Sequence, residues 1–212
     1  MKSEIKKEAI EHLKRDILFG FESKEDLFES ISELFYDEDD FDDYWFKMEI
    51  EKQFSSHQKN SENWKKPTDF EKLVKVFDQL NKESIVSLHK AGHTRQDGEA
   101  DCREIIEELE ASGIIAKGYC YYHSQDLERI IEASGTLFIG YDSNQHIDKI
   151  GYEIANRVIE LLQENGFQTE WNGSLDSRIE IKSIVWEKAY DNIDYNYSRV
   201  FSIIKKPFWK FW

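Results

Sequence analysis

The spacing of apolar residues changes once along this chain, between residues 80 and 85, and that change limits the folds open to it. Before it, Ile5, Ala9, Ile10, Leu13, Ile17 and Leu18 recur at three- to five-residue intervals. Gly20 follows, a pattern that predicts a helix closed by a left-handed residue. Ser23 and Asp26 have capping-box spacing ahead of Leu27, Ile31 and Leu34, and a third stripe runs through Phe41, Trp45, Met48 and Phe54. The polar stretch SSHQKNSEN (55–63) reads as a linker. Beyond it, Pro67, Thr68 and Glu71 open a further helix that carries Phe70, Leu73, Val74, Phe77 and Leu80 on one side.

After the change, short β-rich runs alternate with helical stretches. Ile85, Val86 and Leu88 form a strand, 99–111 a helix, Ile115–Tyr122 a strand, LERIIEA a short helix and TLFIGY (136–141) a strand. A long helix from Ile147 to Gln163 precedes FQTEW, the turn-like NGSLDS and RIEIKSIVW, which read as a terminal hairpin. The expected order is βαβαβαββ. Helices between the first strands favour a mostly parallel sheet with a C-terminal antiparallel hairpin, an α/β or α+β fold. Three parts are expected: a helical module (1–63), an α/β domain with its leading helix (64–188) and a C-terminal tail (189–212).

Charge narrows the partners. The 212 residues carry 43 acidic and 28 basic side chains, a formal net charge of −15. That opposes a general nucleic-acid surface, and no nucleic-acid partner is expected. Aromatic residues make up 14 % of the chain, too many for a disordered acidic polymer. The charge is −8 over residues 1–80, −10 over 81–187 and +3 over 188–212, so the tail, ending KKPFWKFW, is basic and aromatic. Such a tail suits docking on the protein itself or a homo-oligomer contact. Cys102 and Cys120 are too few for a disulfide scaffold and have no zinc spacing, so reduced thiols are expected. The start, MKSEIKKEAIEHLKRD, lacks a signal-peptide apolar run, and no window approaches the roughly 18 apolar residues of a spanning helix. A cytoplasmic protein without a transmembrane segment is the expectation.

Six blocks then carry a resemblance: HKAGHTRQDGEAD (89–101), GYCYYHSQDLE (118–128), LFIGY (137–141), the long helix, EWNGS (170–174) and RIEIKSIVWEK (178–188). In this order and spacing, extended back through WKKPTDFEKL, the chain over 64–188 resembles a family of bacterial proteins known only as a domain of unknown function. It departs from the family pattern at His93, where the pattern carries Tyr, and it lacks the cysteine-rich stretch of some relatives. The resemblance implies a shared fold and no particular activity.

In an open parallel sheet, ligands bind beyond the C-terminal ends of the strands. Three strand-to-helix loops are rich in functional groups: Gly92–Gly98, with His93, Thr94, Arg95 and Asp97; His123–Asp126, with Gln125; and Tyr141–Asn144, with Asp142. On neighbouring parallel strands they share one edge. There His93, Asp97, His123 and Asp126 are candidates for acid/base work, and Thr94, Arg95, Gln125, Tyr141 and Asp142 for ligand contacts. The same Asp, Thr and Ser residues are helix-capping types, so each has a structural reading as well. No named hydrolase, nucleotide or metal signature is present, and no metal ligand set or cofactor is assigned. The acidic run Asp37–Asp43 is no EF-hand, since its sixth and twelfth places hold Asp42 and Met48. The leading expectation is an acidic binding or regulatory protein acting through protein contacts. The rival is a small enzyme or ligand-binding domain that uses the polar sheet edge.

Overall fold

The computed structural model describes residues 1–131 and 135–205. Among them are eight helices and a five-stranded mixed sheet, an α+β fold. The chain divides into two compact units, Met1–Phe70 with Trp186–Ile193, and Glu71–Val185 with the chain from Asp194 onward. No helix among the described residues is long and apolar enough to cross a membrane.

The first unit is built on α1 (Ser3–Phe19), α2 (Lys24–Leu34) and α3 (Asp43–Ser61). Ile5, Ala9, Leu13 and Ile17 of α1 meet Leu27 and Ile31 of α2 and Phe46, Ile50 and Phe54 of α3 in one apolar cluster. The Ser23 hydroxyl accepts the Asp26 N–H, and the Asp26 carboxylate accepts the Ser23 N–H, closing the capping box. Within the acidic run, the Asp42 carboxylate accepts the Trp45 N–H and so caps α3.

The stretch expected to be a linker is instead the end of α3. Phe54 is buried, and the polar side chains after it serve an irregular segment that cannot satisfy its own carbonyls. His57 Nε2 lies 3.0 Å from the Lys188 carbonyl, and Gln58 donates to the Tyr190 carbonyl at 3.0 Å. Gly20 turns with φ 77°, and a Cβ there would stand 2.3 Å from the Lys188 carbonyl oxygen, so glycine is required twice over. The Lys188 side chain is 1 % exposed, with its ammonium 4.7 and 4.8 Å from the ring centroids of Phe21 and Phe70 and 3.4 Å from Asp191.

The second unit holds the rest of α4 (Asp69–Lys82), then β1 (Ile85–Leu88), α5 (Arg95–Ala111), β2 (Gly118–Tyr121), α6 (Ser124–Arg129), β3 (Leu137–Ser143), α7 (Asp148–Glu164), β4 (Gln168–Glu170), β5 (Ile179–Lys182) and α8 (Tyr197–Ile204). Strand order is β1-β2-β3-β5-β4. Only β1 and β2 pair in parallel; the β2–β3, β3–β5 and β5–β4 pairs are antiparallel. The expected mostly parallel sheet is therefore corrected. A parallel neighbour needs a connection that carries the chain back along the full strand. The 17-residue α5 does so between β1 and β2, whereas the six-residue α6 leaves the chain at the end where β2 finished, and β3 sets off the other way.

Helix α7 packs on β2, β3 and β4. On the other face, α5 and Val200 and Phe201 of α8 share a core with Val86, Leu88, Tyr119 and Tyr121 of β1 and β2. The α8 stretch is described; residues 206–212, the most basic and aromatic part of the expected tail, lie outside the described residues. Toward β5 and β4 this second face turns polar. Ile179 and Ile181 are buried while Glu180 and Lys182, between and beyond them, are partly exposed.

Burial pushes the Lys188 ammonium down to about 8 from the usual 10.5, against the opposing pull of Asp191. The folded state thus releases this proton more readily than the unfolded chain, and its penalty is complete below pH 8. Relative to a Lys188→Met variant, wild-type stability should rise between about pH 8 and pH 10.5 by up to about 3 kcal/mol. Urea unfolding of both proteins at the two ends of this range measures it, and a stability difference independent of pH would contradict the buried ammonium.

Candidate functional site

The parallel pair β1–β2 brings two of the three predicted loops together. Their ladder continues past the strands: Ala91 N–H donates to the Tyr122 carbonyl at 2.8 Å, Ser124 N–H to Gly92 at 3.2 Å and Gln125 N–H to His93 at 3.3 Å. The Ser124 hydroxyl adds a bond of 3.0 Å to the Gly92 carbonyl. Tyr141 and Asp142, expected in the third loop, are instead in the last part of β3, and because β3 is antiparallel they lie at the opposite end, with Asp142 beside Tyr119 and Ser143 beside Gly118. There the Asp142 carboxylate meets His146 Nδ1 at 2.6 Å, and the Tyr141 hydroxyl donates to the Ser174 carbonyl.

Within the shared edge the roles divide. Thr94 and Asp97 form a reciprocal cap on α5, with Thr94 N–H to Asp97 Oδ2 at 2.8 Å and Asp97 N–H to Thr94 Oγ1 at 3.4 Å. These bonds to Thr94 hold the Asp97 carboxyl below its usual range. Arg95 turns along the helix to Glu99 at 2.9 Å. Its carbonyl accepts the Tyr121 hydroxyl at 3.1 Å, and the Tyr121 ring passes between Gly98 and Gly140, where an added Cβ would come within 2.5 and 2.8 Å of ring carbons. His93 is exposed and lends the site its backbone carbonyl.

Asp126 is different, for its carboxylate has no exposure at all. Oδ2 caps α6 by accepting the His123 N–H at 3.2 Å, Oδ1 accepts from Arg129 Nη1 at 2.7 Å, and Arg178 Nη1 reaches both oxygens at 2.9 and 3.1 Å. His123, 2 % exposed, sets Nε2 3.2 Å from Asp126 Oδ2 and 3.2 Å from Arg178 Nη1, while its Nδ1 is buried without a hydrogen-bond partner among the described residues. Burial depresses the His123 pKa, with Asp126 opposing and Arg178 assisting, so the ring is neutral near pH 7. The guanidinium of Arg178 stacks 4.7 Å above the Phe138 ring.

Arg178 and Arg129 were absent from the residues predicted from sequence. Arg178 lies in the quoted block RIEIKSIVWEK, yet nothing local marks it, because its partner is 52 residues earlier on another element. It also opens onto the polar face of the sheet. There a cavity of about 500 Å³ is lined by Thr169, Glu170, Trp171, Asn172, Ser177, Arg178 and Glu180. Lys182 bridges Glu170, at 3.2 Å, and Glu180. Asn172 Oδ1 is fixed by Ser174 N–H and the Ser177 hydroxyl. Among the described residues, the hydrogen bonds of Arg178 use Nη1, and Nε and Nη2 form the other edge of the guanidinium fork, the edge suited to an oxyanion. Among the described residues no three His, Cys, Asp or Glu side chains are grouped to hold a metal ion.

The network makes a stability prediction. Asp126→Asn removes a buried anion that lies between two arginines and should cost about 2 to 3 kcal/mol, less than the roughly 3 to 5 kcal/mol of a fully buried pair because both guanidinium groups reach water. Thermal or urea unfolding reads this, and a loss under about 0.5 kcal/mol would show that the carboxylate is not compensating them.

A family model described as a domain of unknown function, DUF6891, matches residues 2–190. It takes in the helices before residue 64 as well as the region where the blocks were recognised. No curated protein and no solved structure matches the chain. With nearly its whole length covered, the chain belongs to the DUF6891 family.

Proposed function

We propose that this chain is a binding protein that works through protein contacts, and that its α/β unit holds an anionic group of the partner at Arg178. One observation carries the reading: a fully buried carboxylate, Asp126, grips Arg178 by a single nitrogen while the same guanidinium lines an open polar cavity. An arginine fixed from behind loses little rotamer freedom when a carboxylate or phosphate docks on its free edge, and a planar fork suits either. Asn172, whose Oδ1 accepts from the Ser174 N–H and the Ser177 hydroxyl, lines the same cavity, and an amide side chain with its oxygen so engaged still has N–H groups to donate.

The enzyme reading has less support. A general base must come within hydrogen-bond reach of its substrate, and His123, with Nε2 committed and 2 % exposure, is enclosed by the protein. Asp97 and Thr94 are spent on capping each other. We also propose a cytoplasmic location: Cys102 and Cys120 are free and buried, as suits a reducing compartment.

Titrating the full chain with succinate and with inorganic phosphate, followed by the Trp171 indole and Asn172 amide NMR signals, tests the site. Saturable shifts are expected with an affinity of about 1 mM, weakened at least about tenfold in Arg178→Gln. Equal shifts in wild type and variant, or none in either, would remove Arg178 as the anchor.

A further inference from the structure

The helical unit carries a second surface, unrelated to Arg178. Between α2 and α3 lies a crevice of about 300 Å³ with Phe28 and Ile50 as its apolar floor and Lys24, Glu25, Glu29, Lys47 and Glu51 around it. Its two lysines are engaged. Lys24 pairs with Glu51 at 2.7 Å, and the Lys47 ammonium sits 4.2 Å from the Phe28 ring centroid. Glu25 and Glu29 stand one helical turn apart on α2, and neither forms an ion pair with a described residue. Two like charges at this spacing repel each other, a tension that an incoming cation relieves.

Beside the crevice, α3 exposes an apolar ledge. Tyr44 is 77 % exposed and Met48 55 %. They stand at i and i+4 on α3, and each lies three residues before a crevice residue, Lys47 or Glu51, so ledge and crevice adjoin on one helix face. Large exposed side chains continuous with an apolar crevice mark an interaction surface more than an ordinary solvated face. Charge selects the occupant: from Glu22 to Asp43 the chain has eleven acidic residues and one basic residue, Lys24. That field attracts a cationic segment and repels an acidic peptide or an anionic lipid surface.

We infer that the α2–α3 face docks a basic amphipathic helix of a partner protein, with an apolar side chain seated on Phe28 and Ile50, further apolar contacts on Tyr44 and Met48, and Lys or Arg side chains paired with Glu25 and Glu29. This is the helix-in-groove mode, in which apolar anchors at helical spacing enter a groove and charges on the rim set register and partner choice. Because the face lies wholly within the helical unit, the inference is independent of the Arg178 site.

The probe is the fluorescein-labelled Leu/Lys peptide LKKLLKLLKKLLKL, titrated by anisotropy against the full chain at low ionic strength. Binding is expected to weaken by at least about fivefold in Glu25→Gln/Glu29→Gln and also in Tyr44→Ser/Met48→Ser. The distant pair Glu104→Gln/Glu107→Gln, which removes the same charge from α5, should change it by less than about twofold. All six positions are exposed, so the variants should melt within a few degrees of wild type, and thermal melts check this. An equal loss in the α5 pair would reduce the binding to general charge attraction, and an unchanged Tyr44/Met48 variant would remove the apolar ledge. Either result, or no binding by wild type, overturns the inference.

Discussion

A carboxylate cut off from water must be compensated where it stands, and Asp126 imposes that demand on the second unit. Its two oxygens accept from the first turn of α6, from Arg129 one turn further along and from Arg178 at the entry to β5. A buried pair of this kind adds little net stability over a well-packed apolar substitute, but it tolerates few alternatives, because any arrangement that separates the partners strands a charge. It therefore acts as a register device. It fixes α6 against the outer half of the sheet, and it holds Arg178 over Phe138 with one edge of its fork unspent.

The short α6 has a second consequence. By leaving the chain at the end where β2 stops, it makes β3 antiparallel and splits the three predicted loops between two ends of the sheet. The β1 and β2 loops stay together and bond backbone to backbone, while Asp142, near the end of β3, and His146 form a separate polar corner ahead of α7. The antiparallel hairpin then inserts β5 beside β3 and leaves β4 on the edge. In this way Arg178, from late in the chain, comes within reach of a helix that follows β2.

Much of the local structure was legible. Ile5, Ala9, Leu13 and Ile17 gave α1 and its buried face, Ser23 with Asp26 gave a cap, and the Val86, Leu88 and Ile105, Ile106, Leu109 sets gave parts of one core. Each rests on residues within a turn or two of one another, so composition and spacing suffice. The polar end of α3 misled for the same reason. Nothing near His57 and Gln58 shows that their donors are needed by the carbonyls of Lys188 and Tyr190, more than 130 residues later. At the site, His123 and Asp126 were marked by their place after a strand, whereas Arg178 had no local sign.

The sequence alone determined the order of local elements, the caps that begin them and the acidic character of the helical unit, since those depend on side-chain period, hydrogen-bonding type and charge count. Only the tertiary structure decided which way β3 runs, that Asp126 is sealed from water, and that Arg178 holds it while facing an open cavity. The physical reason is one of range. Helical period and capping are interactions between near neighbours in the chain, while strand direction and buried charge pairing are fixed by where a distant segment returns, and the cost of an uncompensated ion then makes that return specific.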